Sequence, residues 1–128
     1  MKDVTREDRV SQFTTAAGKK PWDYTYTNLD ASVLGMIKEE FFELWEATFD
    51  YEKNPHNLDA RENLCKEWAD LQYVVSQFAW YYDIPADASF NRVHENNMSK
   101  VVDGKVIFRE DGKILKPEGY QPPDMSGL

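Results

Sequence analysis

Apolar positions recur at helical spacing through most of the first hundred residues, and the pattern breaks into short runs after that. Thr5 with Asp8 three residues later resembles a capping box, and Val10, Phe13 and Ala17 follow before Gly18, which predicts a first short helix. Lys19 to Asn28 contains Pro21 among several Tyr and Thr and reads as an ordered loop with aromatic anchors. A second helix is expected from about Leu29 to Tyr51, a turn at Asn54-Pro55, and a third helix from about Leu58 to Tyr82. Pro85 closes that helix, and a fourth spans Ala86 to Met98 with Phe90 and Val93 as its apolar face. Asn97 and, less centrally, His94 fall on the same face. Beyond Lys100, Val106-Ile107-Phe108 and Ile114-Leu115 flank Asp111-Gly112 and predict a small β-hairpin, followed by an extended tail containing Pro117, Pro122 and Pro123. The expected fold is all-α: a four-helix bundle with a helical core over about 5–100 and a hairpin and tail over 101–128, in one domain covering 1–128.

Acids interrupt the two longest apolar stripes. Val33, Leu34, Ile37, Phe41, Leu44 and Thr48 form the stripe of the second helix, with Glu40 inside it and Glu43 on its edge. Leu64, Trp68, Leu71, Val75 and Phe78 form that of the third, with Glu67 inside and Asp70 at the border. A short connection makes these helices antiparallel neighbours, and Glu43 and Glu67 stand at similar distances from the turn, so the two doublets should meet. An unpaired carboxylate in an apolar contact is costly, so such acids are paired, protonated or bound to a metal. Neither doublet has an obvious basic partner on its own part of the wheel, although Lys38 and Lys66 lie nearby in sequence. A hard divalent cation answers the pattern, because Mg²⁺ and Mn²⁺ favour carboxylate oxygens.

Composition narrows the function. The chain has 128 residues and a formal charge of −8, which argues against a nucleic-acid polymer as partner but not against a nucleotide reached through bound metal. The 41% hydrophobic content and four Trp describe a packed protein. Two long helices so rich in aromatic residues exceed what a small monomer covers, so a homodimer or homotetramer is expected. No leader or membrane span is evident, and a cytoplasmic location is expected, the host cytoplasm if the protein is phage-encoded. The single cysteine, Cys65, reads as a small core filler and excludes a zinc thiolate site. No phosphate-binding glycine loop is present, and Gly35 is an isolated glycine within a helix.

Glu39-Glu40-Phe41-Phe42-Glu43, a spacer of 23 residues, and Glu67-Trp68-Ala69-Asp70 resemble the EExxE and ExxD signature of the all-α nucleoside triphosphate pyrophosphohydrolases, the MazG-like superfamily that includes dimeric dUTPases and phosphoribosyl-ATP pyrophosphohydrolase. Val93 to Lys100, the hairpin segment from Asp103 to Lys116, and Tyr120-Gln121-Pro122-Pro123-Asp124 resemble the tails of bacterial and phage members. The likeness spans about Leu29 to Asp124. It implies that Glu40, Glu43, Glu67 and Asp70 bind Mg²⁺ or Mn²⁺, two or three ions per site. Glu39 would orient a neighbouring group or act as base on the attacking water, against the plainer reading of a solvated Glu. Asn97 and Lys100 would contact phosphate or sugar of the substrate, Lys100 otherwise being a surface lysine. The implied reaction is hydrolysis of a nucleoside or deoxynucleoside triphosphate between the α and β phosphates in nucleotide-pool control, with dGTP among the substrates that family members use.

Three rivals stand beside this reading. Phosphoribosyl-ATP pyrophosphohydrolase of histidine synthesis shares the acidic site. A di-iron carboxylate bundle uses Glu-x-x-His pairs, and neither doublet ends in His. A non-enzymatic helical interaction module would carry the same acids on solvated faces. His56, in the inter-helix turn, reads as solvated or capping, and His94 as a hydrogen-bonded packing residue. Phe41, Phe42, Trp45, Phe49, Trp68 and Trp80 are expected in the core and subunit interface, with one or two of these rings, or Phe13, available to stack on a base.

Overall fold

The computed structural model describes residues 3–23 and 28–128. It is all-α, with α1 over Arg6–Ala16, α2 over Val33–Lys53, α3 over Leu58–Tyr81 and α4 over Ala86–Met98. The starts follow from local chemistry. The Thr5 hydroxyl accepts from the Asp8 amide, and the Asp8 carboxylate accepts from the Thr5 amide, closing the capping box. Asn57 caps α3 through Oδ1, which accepts from the Ala60 amide at 3.1 Å.

The second helix begins later than the apolar spacing suggests. Leu29–Ala31 is a single 3-10 turn, capped by Asn28, and Ser32 then caps α2 by accepting from the Gly35 amide. Ser32 also donates its hydroxyl to the Leu29 carbonyl, so one serine serves both elements. The turn lies directly on α2: a Cβ added at Gly35 would stand 2.6 Å from the Asp30 carbonyl carbon. Gly35 is therefore required by a close backbone approach, which the helical pattern alone does not reveal.

The chain forms two compact units, 1–84 and 85–128. In the first, α3 packs against both α2 and α1, and the 3-10 turn packs on α2. Val10, Val33, Ala47 and Val74 are its buried apolar side chains among the described residues. Polar pairs stitch α1 to α3: Ser76 donates to Glu7 at 3.0 Å, Gln77 to Thr14 at 3.3 Å and the Trp80 indole to Ser11 at 3.2 Å. Trp22, in the left-handed region at φ 66°, donates its amide to the Tyr81 carbonyl. The other aromatic anchors expected in that loop, Tyr24 and Tyr26, lie outside the described residues.

In the second unit the tail is clipped to α4. Arg92 donates to the carbonyls of Asp124 and Ser126, and Asn96 to that of Gln121. The expected hairpin is reduced to an isolated antiparallel bridge between Phe108 and Ile114, with the turn at Gly112 and an ion pair of 2.7 Å between Arg109 and Asp111. A second reversal sits at Asp103-Gly104, both with positive φ, bridging Val102 to Lys105. Each is too short to build a ladder, so the chain turns back without forming named strands. Phe90 and Val93 stay exposed on α4, and His94 stacks beside Phe90 rather than making a buried hydrogen bond.

Two further core placements are corrected, those of the aromatic stripe and of Cys65. Phe41, Phe42, Trp45, Phe49 and Trp68 are exposed in the single chain, and Trp80 alone of that group is half-buried. Val33, Ala47 and Val74 are the buried apolar residues of α2 and α3 among the described residues, while Phe41 meets Trp45 edge-on and Trp45 meets Phe49 at a tilt along the exposed side of α2. Cys65 is also exposed rather than a core filler. It lines an open cavity of about 460 Å³ with Leu44, Thr48, Arg61, Leu64 and Trp68.

Candidate metal centre

The antiparallel pairing of α2 and α3 brings Glu40, Glu43, Glu67 and Asp70 together. Each offers a carboxylate oxygen, and these four oxygens all lie within 4.8 Å of one another. The i,i+3 spacing turns each pair of acids toward the seam, and the equal setback from the 54–57 turn sets them at the same level. Glu67 is the deepest, at 9% exposure. Oε2 of Glu67 and Oε2 of Glu40 are buried without a hydrogen-bond partner. Such orphaned acceptors are costly unless a cation or proton satisfies them.

The electrostatics agree. Burial, then a hydrogen bond shared with Glu43, then the charges of Glu43, Asp70 and Glu67 raise the Glu40 carboxyl from its ordinary value to about 7. The four acids cannot all ionise comfortably without positive charge among them. Lys66 supplies some: its Nζ donates to Asp70 Oδ2 at 2.8 Å and to Glu67 Oε1 at 3.2 Å. Those contacts hold its ammonium charged well above the ordinary lysine range. The wheel missed this partner, because Lys66 roots on the solvent side and reaches over the edge of the helix with its long stem. Its i,i+4 relation to Asp70 was the available signal. The ammonium remains largely exposed, and it satisfies neither orphaned oxygen.

The remaining sequence-predicted residues are placed differently. Glu39 is exposed on α2, beside the half-buried Glu40 in sequence, and is not one of the four clustered acids. Asn97 and Lys100 belong to the second unit, where Lys100 Nζ donates to Asn97 Oδ1 at 3.2 Å. His56 is exposed in the turn between α2 and α3. A cluster of four carboxylates with no sulfur or nitrogen donor could hold a hard divalent cation.

An all-α chain built around such a cluster has the form of a nucleotide pyrophosphohydrolase of the MazG-like superfamily. A family model for phosphoribosyl-ATP pyrophosphohydrolase matches residues 7–97, and the chain belongs to that family. The match begins inside α1, so the likeness extends further toward the N-terminus than the motif-based estimate of Leu29, and it includes all four clustered acids and Asn97. A search of curated proteins found no match. Membership makes the chain a pyrophosphohydrolase acting on nucleotides. Among the described residues, no helix is long and apolar enough to cross a membrane.

Proposed function

We propose that this chain hydrolyses a nucleoside or deoxynucleoside triphosphate between the α and β phosphates, with dGTP among the candidate substrates, and uses Mg²⁺ or Mn²⁺ held by Glu40, Glu43, Glu67 and Asp70. The observation that carries the reading is the convergence of four carboxylate oxygens within 4.8 Å, two of these side chains keeping a buried oxygen without a partner. The donors are oxygen throughout, which fits a hard cation, and Lys66 already brings positive charge to two of the four acids. When bound, two or three such ions would neutralise phosphate charge and acidify a water molecule.

The chain's own groups do the rest. Glu40, Glu43, Glu67 and Asp70 fix the position of positive charge from two packed helices. Glu39 orients the attacking water or accepts its proton. The water oxygen bonds to the α-phosphorus, the bond from that phosphorus to its bridging oxygen breaks, and pyrophosphate leaves with the electron pair. Asn97 and Lys100 hold a phosphate or the sugar, the lysine as a point charge.

A second reading, phosphoribosyl-ATP as substrate, is favoured by the family model that matches residues 7–97. Both substrates present the same bond to the same acids. A panel of ribo- and deoxyribonucleoside triphosphates together with phosphoribosyl-ATP, assayed for monophosphate and pyrophosphate with Mg²⁺ and Mn²⁺, separates them. Failure to release pyrophosphate from any of these sinks both readings and returns the chain to the interaction-module alternative.

We also infer a homodimer or homotetramer. Phe42 at 53% exposure and Trp45 at 50% sit in a continuous aromatic row on α2 that a second copy would cover. Sedimentation should give a multiple of 15.0 kDa at micromolar concentration, and a monomer mass would contradict it.

A further inference from the structure

The second unit holds an arrangement that the acidic centre does not use. The Tyr120 hydroxyl donates to Asn96 Oδ1 at 2.8 Å, and Asn96 Nδ2 donates to the neighbouring Gln121 carbonyl at 2.6 Å. This two-bond clip pins the tyrosine ring to α4. Two ammonium groups share that ring: Lys100 Nζ lies 5.6 Å from its centroid and Lys116 Nζ 5.2 Å. They cannot stand farther apart than the sum of those distances, which is close to the Debye length of about 10 Å at 0.1 M salt. At such a separation salt screens much of the repulsion between them, and the shared ring face offsets part of the rest.

Neither cation is neutralised nearby. Among the described residues no carboxylate lies within 4.0 Å of Lys100 or Lys116, although the chain carries 23 acids. Lys100 Nζ is oriented by Asn97 Oδ1, and both ammoniums keep donor protons to spare. Compact ammoniums, without the flat fork of a guanidinium, suit a ligand carrying several negative charges on tetrahedral groups.

We propose that Tyr120 gathers Lys100 and Lys116 into a phosphate-binding pair, so that Lys116 is a second phosphate contact and Tyr120 the residue that positions both. The proposal rests on the reading of Lys100 as a phosphate contact. It adds a residue from the tail, beyond the segment the family model matches.

The test uses the full chain and inorganic tripolyphosphate, titrated by calorimetry without metal at low ionic strength. Lys100→Gln and Lys116→Gln should each weaken binding about five- to tenfold. Tyr120→Leu should weaken it comparably, and Tyr120→Phe, which keeps the ring, by less. A tyrosine that merely straps the tail would lower the melting temperature in both variants and leave tripolyphosphate affinity alone. In turnover with Mg²⁺, Lys116→Gln should raise KM more than it lowers kcat. Lys116 is exposed, so its variant decides the matter once an unchanged melting temperature shows the fold retained: equal tripolyphosphate binding by Lys116→Gln and the parent, or no binding by the parent, overturns the proposal. A chain that binds tripolyphosphate through both lysines yet hydrolyses no nucleotide would keep the pair and sink the enzymatic reading.

Discussion

The two units of this chain handle charge in opposite ways. Residues 1–84 carry nine basic against sixteen acidic side chains, and residues 85–128 six against seven. The first unit forces four of its acids into a helix seam, where burial leaves two oxygens without partners and lifts Glu40 to about 7. The second unit buries nothing fully among its described residues and holds its cations in the open, on a tyrosine ring and an asparagine oxygen. Like charges are brought together in both. In the seam, repulsion is sustained by the packing of two long helices, which have the stability to spare for it. On the tail it is softened by water and by the ring, so the arrangement costs little and needs no core.

The contrast is broken most severely at the acids. Glu40→Gln and Asp70→Asn should each reduce kcat by about a hundredfold or more while helical content is retained, since the isosteric amide fills the same space but gives up the anionic donor. Near-normal turnover in both, measured as pyrophosphate release, would mean that the cluster does no chemistry.

On the cationic side, Lys100→Ala should lower kcat/KM about tenfold, in line with the roughly 1.5–3 kcal/mol of a charge-assisted hydrogen bond. Metal affinity in the absence of nucleotide should stay as it was. If both quantities move together, the two units do not divide the labour as described.

The rigidity of the first unit can be tested without touching charge. Gly35→Ala should destabilise the protein by about 1–3 kcal/mol, because a methyl group at that point collides with the Asp30 backbone. Thermal unfolding would register this as a lower midpoint. An unchanged midpoint would show that the 3-10 turn moves aside freely.

The smallest effect is a pH dependence. Glu40 has a folded pKa raised to about 7 from an ordinary 4.5, so its contribution favours the fold below pH 4.5 and is lost as pH rises through 7. In metal-free protein, Glu40→Gln should therefore be more stable than the parent at pH 8, by on the order of 1–2 kcal/mol after solvent screening, and the advantage should vanish near pH 4. Melting curves of both proteins across that range check the sign. A constant difference would detach Glu40 from the seam.

Much of this was legible along the chain. The boundaries of α1, α3 and α4 were readable within a residue or so from Thr5, Gly18, Pro55 and Pro85, because caps and breakers act on the backbone beside them. The acidic quartet was also readable: spacing of i,i+3 and equal setback from a short turn are arithmetic on a helix of known rise. The 3-10 turn at Leu29–Ala31 was not, since Leu29 fits the helical apolar spacing and only the close approach of the Asp30 backbone to Gly35 marks the separate turn.

Residue pattern by itself therefore determined that this protein is helical and where its carboxylates would converge, both being consequences of local geometry repeated along the chain. Tertiary structure alone decided that the aromatic row of α2 stays exposed and that Lys116 meets Lys100 over Tyr120. Those outcomes depend on the reach of flexible stems, on the width of a seam between two helices, and on a tail that returns to a helix it left twenty residues earlier. None of these is encoded in a period of two or of 3.6.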